Sequence, residues 1–299
     1  MSTPLPESGH DPVLLDEVLL ALAPAPGQTV VDCTLGRGGH AAALADRLLP
    51  GGTLVGLDYD PRNLEFAAAR LAGKPVRLFH ANFDDIADAL DDIGPADGIL
   101  ADLGISTNQL FDAAYGLSFT NDVPLDMRLD PTHRLTAKQI VNTWDEQKIA
   151  NTLFNLADER FSRRIARKIV ETRKRSPITT TEQLATLVRD VLPRPKGHRT
   201  GEIDPATRTF LALRMAVNDE MGNLERLLNA APMLLKPGGR FAVISFHSTE
   251  DRLVKQRFRA LAQAGTHALI TNRPIVPSEA EVSRNPRSRS AKMRVLRRE

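Results

Sequence analysis

Three short apolar runs in the first part of the chain each carry an aspartate at their carboxyl end. The runs are residues 28–33, 53–58 and 98–102, and the aspartates are Asp32, Asp58 and Asp102. Each run has the length and composition of a buried strand, and helix-like stretches separate the runs. Strands that alternate with helices predict a parallel sheet with right-handed crossovers. Because ligands bind beyond the carboxyl ends of such strands, we expect the three aspartates at one binding edge.

A glycine-rich segment, LGRGGH at residues 35–40, follows the first of these strands. Glycine lets the backbone approach a ligand where a side chain would clash, so the segment predicts a site for a nucleoside-type ligand. A purely structural turn would explain the glycines but not both Asp32 and Asp58. An NAD site would use Asp58 but expects Gly-x-Gly-x-x-Gly, which this spacing does not fit. The combination favours S-adenosylmethionine, with Asp32 ordering the loop and Asp58 accepting hydrogen bonds from the ribose.

Asp102 has two interpretations. A carboxylate that accepts a hydrogen from an exocyclic amine localises the amine lone pair, so Asp102 could activate an amine held in line with a methyl donor. Amino-methyltransferases carry prolines and an aromatic residue after this acid, whereas residues 103–105 read LGI. The aromatic that stacks on a flipped base would then come from elsewhere, with Phe119 and Phe246 as candidates. In the second interpretation Asp102 contacts only the cofactor.

The alternation of strands and helices stops after the fourth strand and resumes in the last third of the chain. From residue 111 to residue 205 the pattern is helical, with capping-box sequences at residues 136–139 and 180–183. The prediction is therefore a mostly parallel, Rossmann-like α/β core over residues 1–110 and 206–299. A helical insertion over residues 111–205 interrupts it.

The last third of the chain also predicts two further strands. Residues 240–246 form an apolar run after a Pro-Gly-Gly turn, and residues 292–296 are compatible with a final strand. The segment between them, residues 264–290, is rich in proline and serine and is predicted as loop from residue 264 onward.

Composition narrows the class of protein. The chain shows no signal-peptide pattern and no apolar run near the roughly 20 residues that span a bilayer. Its single cysteine, Cys33, cannot form an intrachain disulfide. The spacing of histidines and acids calls for no metal ion. A cytoplasmic protein without a membrane segment is therefore expected, and the pattern predicts no particular oligomeric state.

Basic residues are clustered although the formal net charge is only +2. The clusters lie at residues 160–175, 194–199 and 284–298. Each is either a solvated face or a contact to nucleic-acid phosphates. For residues 284–298 a third possibility is that alternate arginines of the last strand simply face solvent.

Longer motifs extend this pattern over nearly the whole chain. They are HDPVLLDEV (10–18), TLGRGGHA (34–41), DLGIS (102–106) with QL (109–110), PLDMR (124–128), TRTF (207–210) with VN (217–218), VISFHS (243–248) and NPRSRS (285–290). With these motifs the chain resembles the RsmH (MraW) family of ribosomal small-subunit RNA cytosine-N4-methyltransferases. The resemblance implies a class I S-adenosylmethionine-dependent methyltransferase fold. It also implies methyl transfer to the exocyclic N4 amine of a cytidine in the decoding centre of 16S rRNA, within the small ribosomal subunit, with the helical insertion helping to form the RNA-binding surface.

The resemblance also implies a set of cofactor contacts. They are Gly38, Gly39, His40, Asp58, Phe83, Asp102 and Gln109. Asp102 and His247 are the candidates for catalysis. His247 follows the fifth predicted strand, where it either takes the proton from the methylated amine or is hydrogen-bonded within its own loop.

Overall fold

The computed structural model describes residues 12–106, 109–110, 112–192 and 204–299. These residues form two compact units. The described residues up to Gly104 make one unit with Met221–Glu299, and Ile105–Glu220 make the other. The helix Thr207–Val217 belongs to the second unit, whereas the division predicted at residue 206 placed it in the core.

The first unit is built on a seven-stranded sheet. The strands are β1 Thr29–Asp32, β2 Thr53–Asp58, β3 Val76–His80, β4 Ala96–Asp102, β5 Leu235–Ser245, β6 His267–Leu269 and β7 Lys292–Arg298. Their order is β3-β2-β1-β4-β5-β7-β6, with β1 to β5 parallel and β7 antiparallel to both of its neighbours. This is the strand order of class I S-adenosylmethionine-dependent methyltransferases, so the predicted fold class is confirmed. Strand β6 lies in the segment predicted as loop, because three residues are too few to show a strand pattern.

Helices cover both faces of the sheet. They are α1 Leu15–Leu22, α2 Gly39–Leu48, α3 Pro61–Arg70, α4 Ile86–Leu90, α10 Glu220–Ala230, α11 Ser248–Gln263 and α12 Glu279–Arg284. Successive residues of a strand point to opposite faces, so Val30 and Val31 enter different apolar clusters. Val31 lies in the cluster of Phe241 and Phe258, and Val30 lies in that of Leu44. Burial on both faces explains why these strands are continuous apolar runs.

The strand register brings the carboxyl ends of β1, β2 and β4 to one edge. Asp32 pairs with Gly56 of β2 and with Leu100 of β4. Asp58 and Asp102 lie at most two residues further along the same strands, which run parallel to β1. The expectation that the three aspartates share one edge of the sheet is therefore confirmed.

The second unit is helical. Its described helices of more than one turn are α5 Ala137–Thr143, α6 Glu146–Ala157, α7 Ser162–Arg173, α8 Thr181–Val191 and α9 Thr207–Val217. Helix α6 packs against α7 and α9. Thr136 and Thr180 form capping boxes with Gln139 and Gln183, as their spacing predicts. None of the described helices of either unit combines the length and the apolar character that a bilayer crossing needs.

Two of the three basic clusters lie within the described residues, and their surroundings differ. On α7, Arg163, Arg164, Arg167 and Lys168 are exposed, opposite the buried side chains of that helix. The cluster at residues 194–199 lies outside the described residues. In the third cluster the predicted last strand is confirmed as β7.

The arginines of β7 are bound by neighbouring parts of the first unit. Arg294 donates two hydrogen bonds to Asp251 of α11, at 2.7 and 3.2 Å. Arg298 donates to the carbonyl oxygen of Met233, and Arg297 pairs with Glu299. The pair of Arg294 and Asp251 is largely shielded, with side chains 12 and 13% exposed. Arg294 therefore ties the sheet to α11, which argues against a role in gripping phosphates.

We predict that Arg294→Leu lowers the free energy of unfolding by about 2–3 kcal/mol, because it leaves the shielded carboxylate of Asp251 without its main partner. Chemical denaturation measures the change. The matched control is Arg297→Leu, which removes an exposed ion pair and should cost less than about 1 kcal/mol. Equal effects of the two substitutions would contradict the structural role of Arg294.

Candidate cofactor and catalytic site

The loop between β1 and α2 is shaped by two glycines and two aspartates. Gly36 and Gly38 have φ values of 51° and 75°, a left-handed conformation that is strained for other residues. Asp58 accepts a hydrogen bond from the Gly36 amide at 2.7 Å, and Asp32 accepts one from the Thr34 amide at 3.2 Å. Loop ordering was expected from Asp32 alone, and Asp58 shares it.

Helix α2 begins directly after this loop, at Gly39. The N-cap residue of α2 is Gly38, which has no side chain, so no side chain caps the first turn. A Cβ atom on Gly38 would contact the side chains of Ala67 and Leu71 of the neighbouring α3 segment at 3.6 Å. The loop therefore packs closely on that segment, and the first-turn amides of α2 remain available to a polar ligand.

His40, in the first turn of α2, is buried and neutral. Burial lowers its pKa to about 4. Its Nε2 atom lies 2.9 Å from the carbonyl oxygen of Val13. A carbonyl only accepts, so Nε2 carries the proton and Nδ1 is left as an acceptor. Nδ1 lies 3.7 Å from Oδ2 of Asp102, so the histidine presents a lone pair to that carboxyl group.

Asp102 ends β4 with a carboxyl group that is only partly satisfied. Its backbone amide donates to the Thr34 hydroxyl at 2.6 Å, and among the described residues its buried Oδ1 atom has no hydrogen-bond partner. Burial raises its pKa well above the ordinary value, and the negative charges of Asp32 and Glu250 raise it further. Buried carboxyl oxygens normally have partners, so Oδ1 is positioned to receive a donor from a ligand.

Asp32, like Asp102, has a raised pKa and one buried carboxyl oxygen that is not hydrogen-bonded to any described residue. Its Oδ2 atom is buried without a hydrogen-bond partner among the described residues, and burial raises its pKa to about 7. The strand ends thus hold two acceptor oxygens that the described part of the protein does not use.

Asp58 is more fully engaged. In addition to the Gly36 amide it accepts the Asp60 amide at 2.8 Å, and the Asn63 side chain donates to both oxygens at 3.3 and 3.4 Å. Burial raises its pKa to about 6. The predicted ribose contact would have to share oxygens that already bind the protein, and it stays a prediction.

The two remaining predicted cofactor residues lie in different units. Phe83 opens a short helical turn after β3, is half-buried and packs against the apolar cluster on one face of the sheet. Gln109 belongs to the helical unit. It is buried, and its side-chain oxygen accepts a hydrogen bond from the Ser106 amide at 3.1 Å. Its predicted cofactor contact stays a prediction.

His247 caps the N-terminus of α11. Its Nδ1 atom accepts the Glu250 amide at 3.5 Å, and the Glu250 carboxylate accepts the amides of Phe246 and His247 in return. Its Nε2 atom lies 3.0 Å from Glu250 but is not aligned for a hydrogen bond. This capping box matches the second interpretation of His247, in which the side chain is hydrogen-bonded within its own loop. The catalytic role of His247 stays a prediction.

The two aromatic candidates for base stacking differ in their surroundings. Phe246 follows β5, and a Cβ atom on Gly104 would lie 3.5 Å from its ring. It therefore lies beside the segment that follows Asp102. Phe119, in the helical unit, packs edge-to-face on Phe210 with the ring centroids 4.8 Å apart. Both residues stay candidates for stacking on a base.

Two contributors to this site were not predicted. Thr34 binds the amide of Asp102, and Asn63 binds Asp58. The Thr34 contact joins positions 68 residues apart, so no local pattern signals it.

No group of three or more histidine, cysteine, aspartate or glutamate side chains in the described part of the chain could hold a metal ion.

We predict a pH-dependent effect of Asp32→Asn on stability. The unfolded chain ionises Asp32 near its ordinary pKa of 3.8, whereas the folded protein keeps the proton up to about 7. Between these values the folded state binds more protons, so stability falls as pH rises. An asparagine side chain still accepts a hydrogen bond from the Thr34 amide but has no proton to lose. The free energy of unfolding of the variant, relative to wild type, should therefore rise by on the order of 2–4 kcal/mol as pH increases from ~4 to ~8.

Denaturant titrations of the ligand-free protein at both pH values measure this gain. The control is Asp92→Asn, which removes an exposed carboxylate paired with Arg77 and should change stability by less than about 1 kcal/mol. A pH-independent difference between Asp32→Asn and wild type would show that burial does not hold a proton on Asp32.

The sequence of this chain is similar to that of a known protein family. The model of the MraW methylase family matches residues 7–299. A ribosomal RNA small subunit methyltransferase H from Syntrophotalea carbinolica is 46% identical, over 97% of this chain and 98% of its own. The protein of the same name from Symbiobacterium thermophilum is 45% identical over 96% of both chains. An rRNA methylase structure from Streptococcus thermophilus aligns over 95% of this chain and 93% of its own, at 11% identity and a TM-score of 0.44. On the family match and the two relatives, the chain belongs to the MraW methylase family.

Proposed function

We propose that this protein transfers a methyl group from S-adenosylmethionine to the N4 amine of a cytidine in the decoding centre of 16S rRNA. The substrate is the RNA within the small ribosomal subunit, and the location is the cytoplasm. The observation that carries the proposal is the unpartnered Oδ1 of Asp102 beside the glycine loop. The two relatives, both named as ribosomal RNA small subunit methyltransferases, support the substrate class.

The residues at this edge fit S-adenosylmethionine. The cofactor carries an ammonium group, ribose hydroxyls and a sulfonium, and the unpartnered oxygens of Asp32 and Asp102 suit donors and positive charge. Gly38, Gly39 and His40 offer the uncapped first turn of α2 to its polar groups. When bound, the cofactor supplies an electrophilic methyl group. Asp58, Phe83 and Gln109 complete the proposed binding set.

Asp102 is proposed to orient and activate the cytidine amine. Its free oxygen would accept one amine hydrogen, which localises the lone pair and holds the nitrogen in line for attack. A carboxylate is needed for this, and positive charge at the site favours the ionised form against the effect of burial. The raised pKa of Asp102 also makes it a stronger base than an exposed aspartate, so it can hold the proton that the amine loses. Phe246 is the proposed platform for the flipped base.

The competing class, an oxidoreductase that uses a dinucleotide, is disfavoured by two features. The spacing of the glycines does not fit its motif, and it has no use for an unpartnered carboxyl oxygen at the end of β4. Titrations with S-adenosylhomocysteine and with NAD separate the two classes directly.

We predict that labelled methyl transfer to purified small ribosomal subunits yields N4-methylcytidine on nucleoside analysis. Asp102→Ala should lower the rate by at least about 10²-fold, because both amine orientation and proton acceptance are lost. Binding of the variant to RNA should remain close to that of wild type. Free 16S rRNA serves as the comparison substrate. Any other methylated nucleoside, or near-normal turnover by Asp102→Ala, would contradict the proposal.

Two substitutions separate the possible roles of His247. Asparagine is a good helix cap and alanine is not, so His247→Asn should retain the stability that His247→Ala loses, about 1 kcal/mol. If His247 serves only as a cap, methyl transfer should also be retained in His247→Asn, which is the result expected from its contacts with Glu250. Loss of turnover in both variants, with stability retained in the asparagine variant, would establish a chemical role instead.

A further inference from the structure

Helix α3 carries an exposed aromatic ring that the proposed reaction does not use. The Phe66 side chain is 41% exposed, although Ala67, the next residue, is fully buried. The guanidinium carbon of Arg37 lies 4.6 Å from the centroid of the Phe66 ring, in cation–π contact. A planar cation therefore covers one side of the ring.

The glycine loop dictates this placement of Arg37. Arg37 lies between Gly36 and Gly38, both in the left-handed conformation, in the turn that packs Gly38 onto Ala67. The arginine is thereby brought to the outer surface of α3. The carbonyl oxygen of Arg37 also accepts a hydrogen bond from the Arg70 side chain at 3.4 Å.

Two further arginines flank the ring along the helix. Arg62, Phe66 and Arg70 are spaced four residues apart, so they lie on one face of α3 with about 6 Å of helix axis between successive positions. All three are exposed. The charged side chains within α3 are Arg62, Glu65 and Arg70, two cations and one anion. We refer to Arg37, Arg62, Phe66 and Arg70 as the arginine–phenylalanine surface.

We propose that the arginine–phenylalanine surface binds a single-stranded segment of the substrate RNA. An unpaired base stacks on the Arg37–Phe66 pair, since bases stack on both aromatic rings and guanidinium planes. Arg62 and Arg70 bind the flanking phosphates, for which guanidinium groups have matching geometry. The inference rests on the proposed function, because it assigns a surface to the RNA of that reaction.

Two observations favour RNA over other occupants. The surface combines a stacking platform with cations on both sides, which complements a chain of bases and phosphates and not an apolar partner. The loop that carries Arg37 also carries Gly38, Gly39 and His40, so RNA bound here lies against the proposed cofactor loop.

The test uses variants at positions outside the cofactor loop, and because Arg70 donates a hydrogen bond to the carbonyl oxygen of Arg37, cofactor binding is measured for each of them. Phe66→Leu keeps the apolar bulk but removes the ring, and Arg62→Ala with Arg70→Ala removes two cations. The matched controls are Met233→Leu, an exposed apolar residue of the same unit, and Arg77→Ala, an exposed arginine of β3 that also lies over a phenylalanine ring. Affinity is measured for small subunits and for a labelled single-stranded RNA oligonucleotide over a salt series. Calorimetry with S-adenosylhomocysteine checks the cofactor site.

We expect Phe66→Leu to weaken RNA binding by about 5- to 100-fold, the range for loss of one stacked base. The double arginine variant should reduce the slope of log affinity against log salt by about 1.4, the value for two phosphate contacts on single-stranded nucleic acid. Binding of S-adenosylhomocysteine and kcat at saturating subunits should stay near wild type while KM rises. The controls should bind RNA as wild type does.

Three outcomes are distinguishable. If wild type methylates cytidine in the subunit but the variants keep wild-type RNA affinity and KM, the inference is overturned and the proposed function stands. If wild type methylates no cytidine, the proposed function fails, and the oligonucleotide titrations still decide whether this surface binds RNA. If the variants change sedimentation of the protein without changing RNA affinity, the surface is a protein contact and the inference is overturned.

Discussion

The hydrogen bond from the Gly36 amide to Asp58 joins the glycine loop to the end of β2, and the arrangement of the site depends on it. It holds a left-handed glycine next to the strand that pairs with β1, which defines where the loop turns. That turn determines three other features: the uncapped start of α2, the packing of Gly38 on α3 and the outward position of Arg37. One buried carboxylate thus organises both the proposed cofactor site and the proposed RNA surface.

Burial of several acids at one sheet edge is energetically unfavourable by itself. Asp32, Asp58 and Asp102 all have raised pKa values, with burial as the main cause; the charge of Asp58 also raises the pKa of Asp32, and the charges of Asp32 and Glu250 also raise that of Asp102. Such a concentration of perturbed carboxyl groups is typical of functional sites. A ligand that brings positive charge and hydrogen-bond donors would relieve both the repulsion and the missing hydrogen bonds. The raised pKa values of these acids and the proposed preference of the site for a cationic cofactor therefore have the same physical origin.

The positive residues of the chain do not act as one class. On β7 the arginines bind carboxylates and carbonyl groups of the first unit, where they stabilise the antiparallel end of the sheet. On α7 they lie exposed opposite the buried face of an amphipathic helix. On α3 two arginines flank an aromatic ring that a third covers. Clustering along the sequence therefore says little about binding, since it does not distinguish an arginine in an ion pair from one beside a stacking platform.

The sequence by itself determined the alternation of strands and helices, the capping boxes at Thr136 and Thr180, and the sharing of one edge by Asp32, Asp58 and Asp102. These features follow from local periodicity and from the parallel connection of strands, which act over short segments. Only the tertiary structure decided that Asp58 orders Gly36, that Thr34 binds the Asp102 amide, and that Asp251 holds Arg294. It also assigned Thr207–Val217 to the helical unit and revealed β6. These contacts join residues far apart in the chain, where partner choice depends on three-dimensional packing, and local sequence carries no record of it.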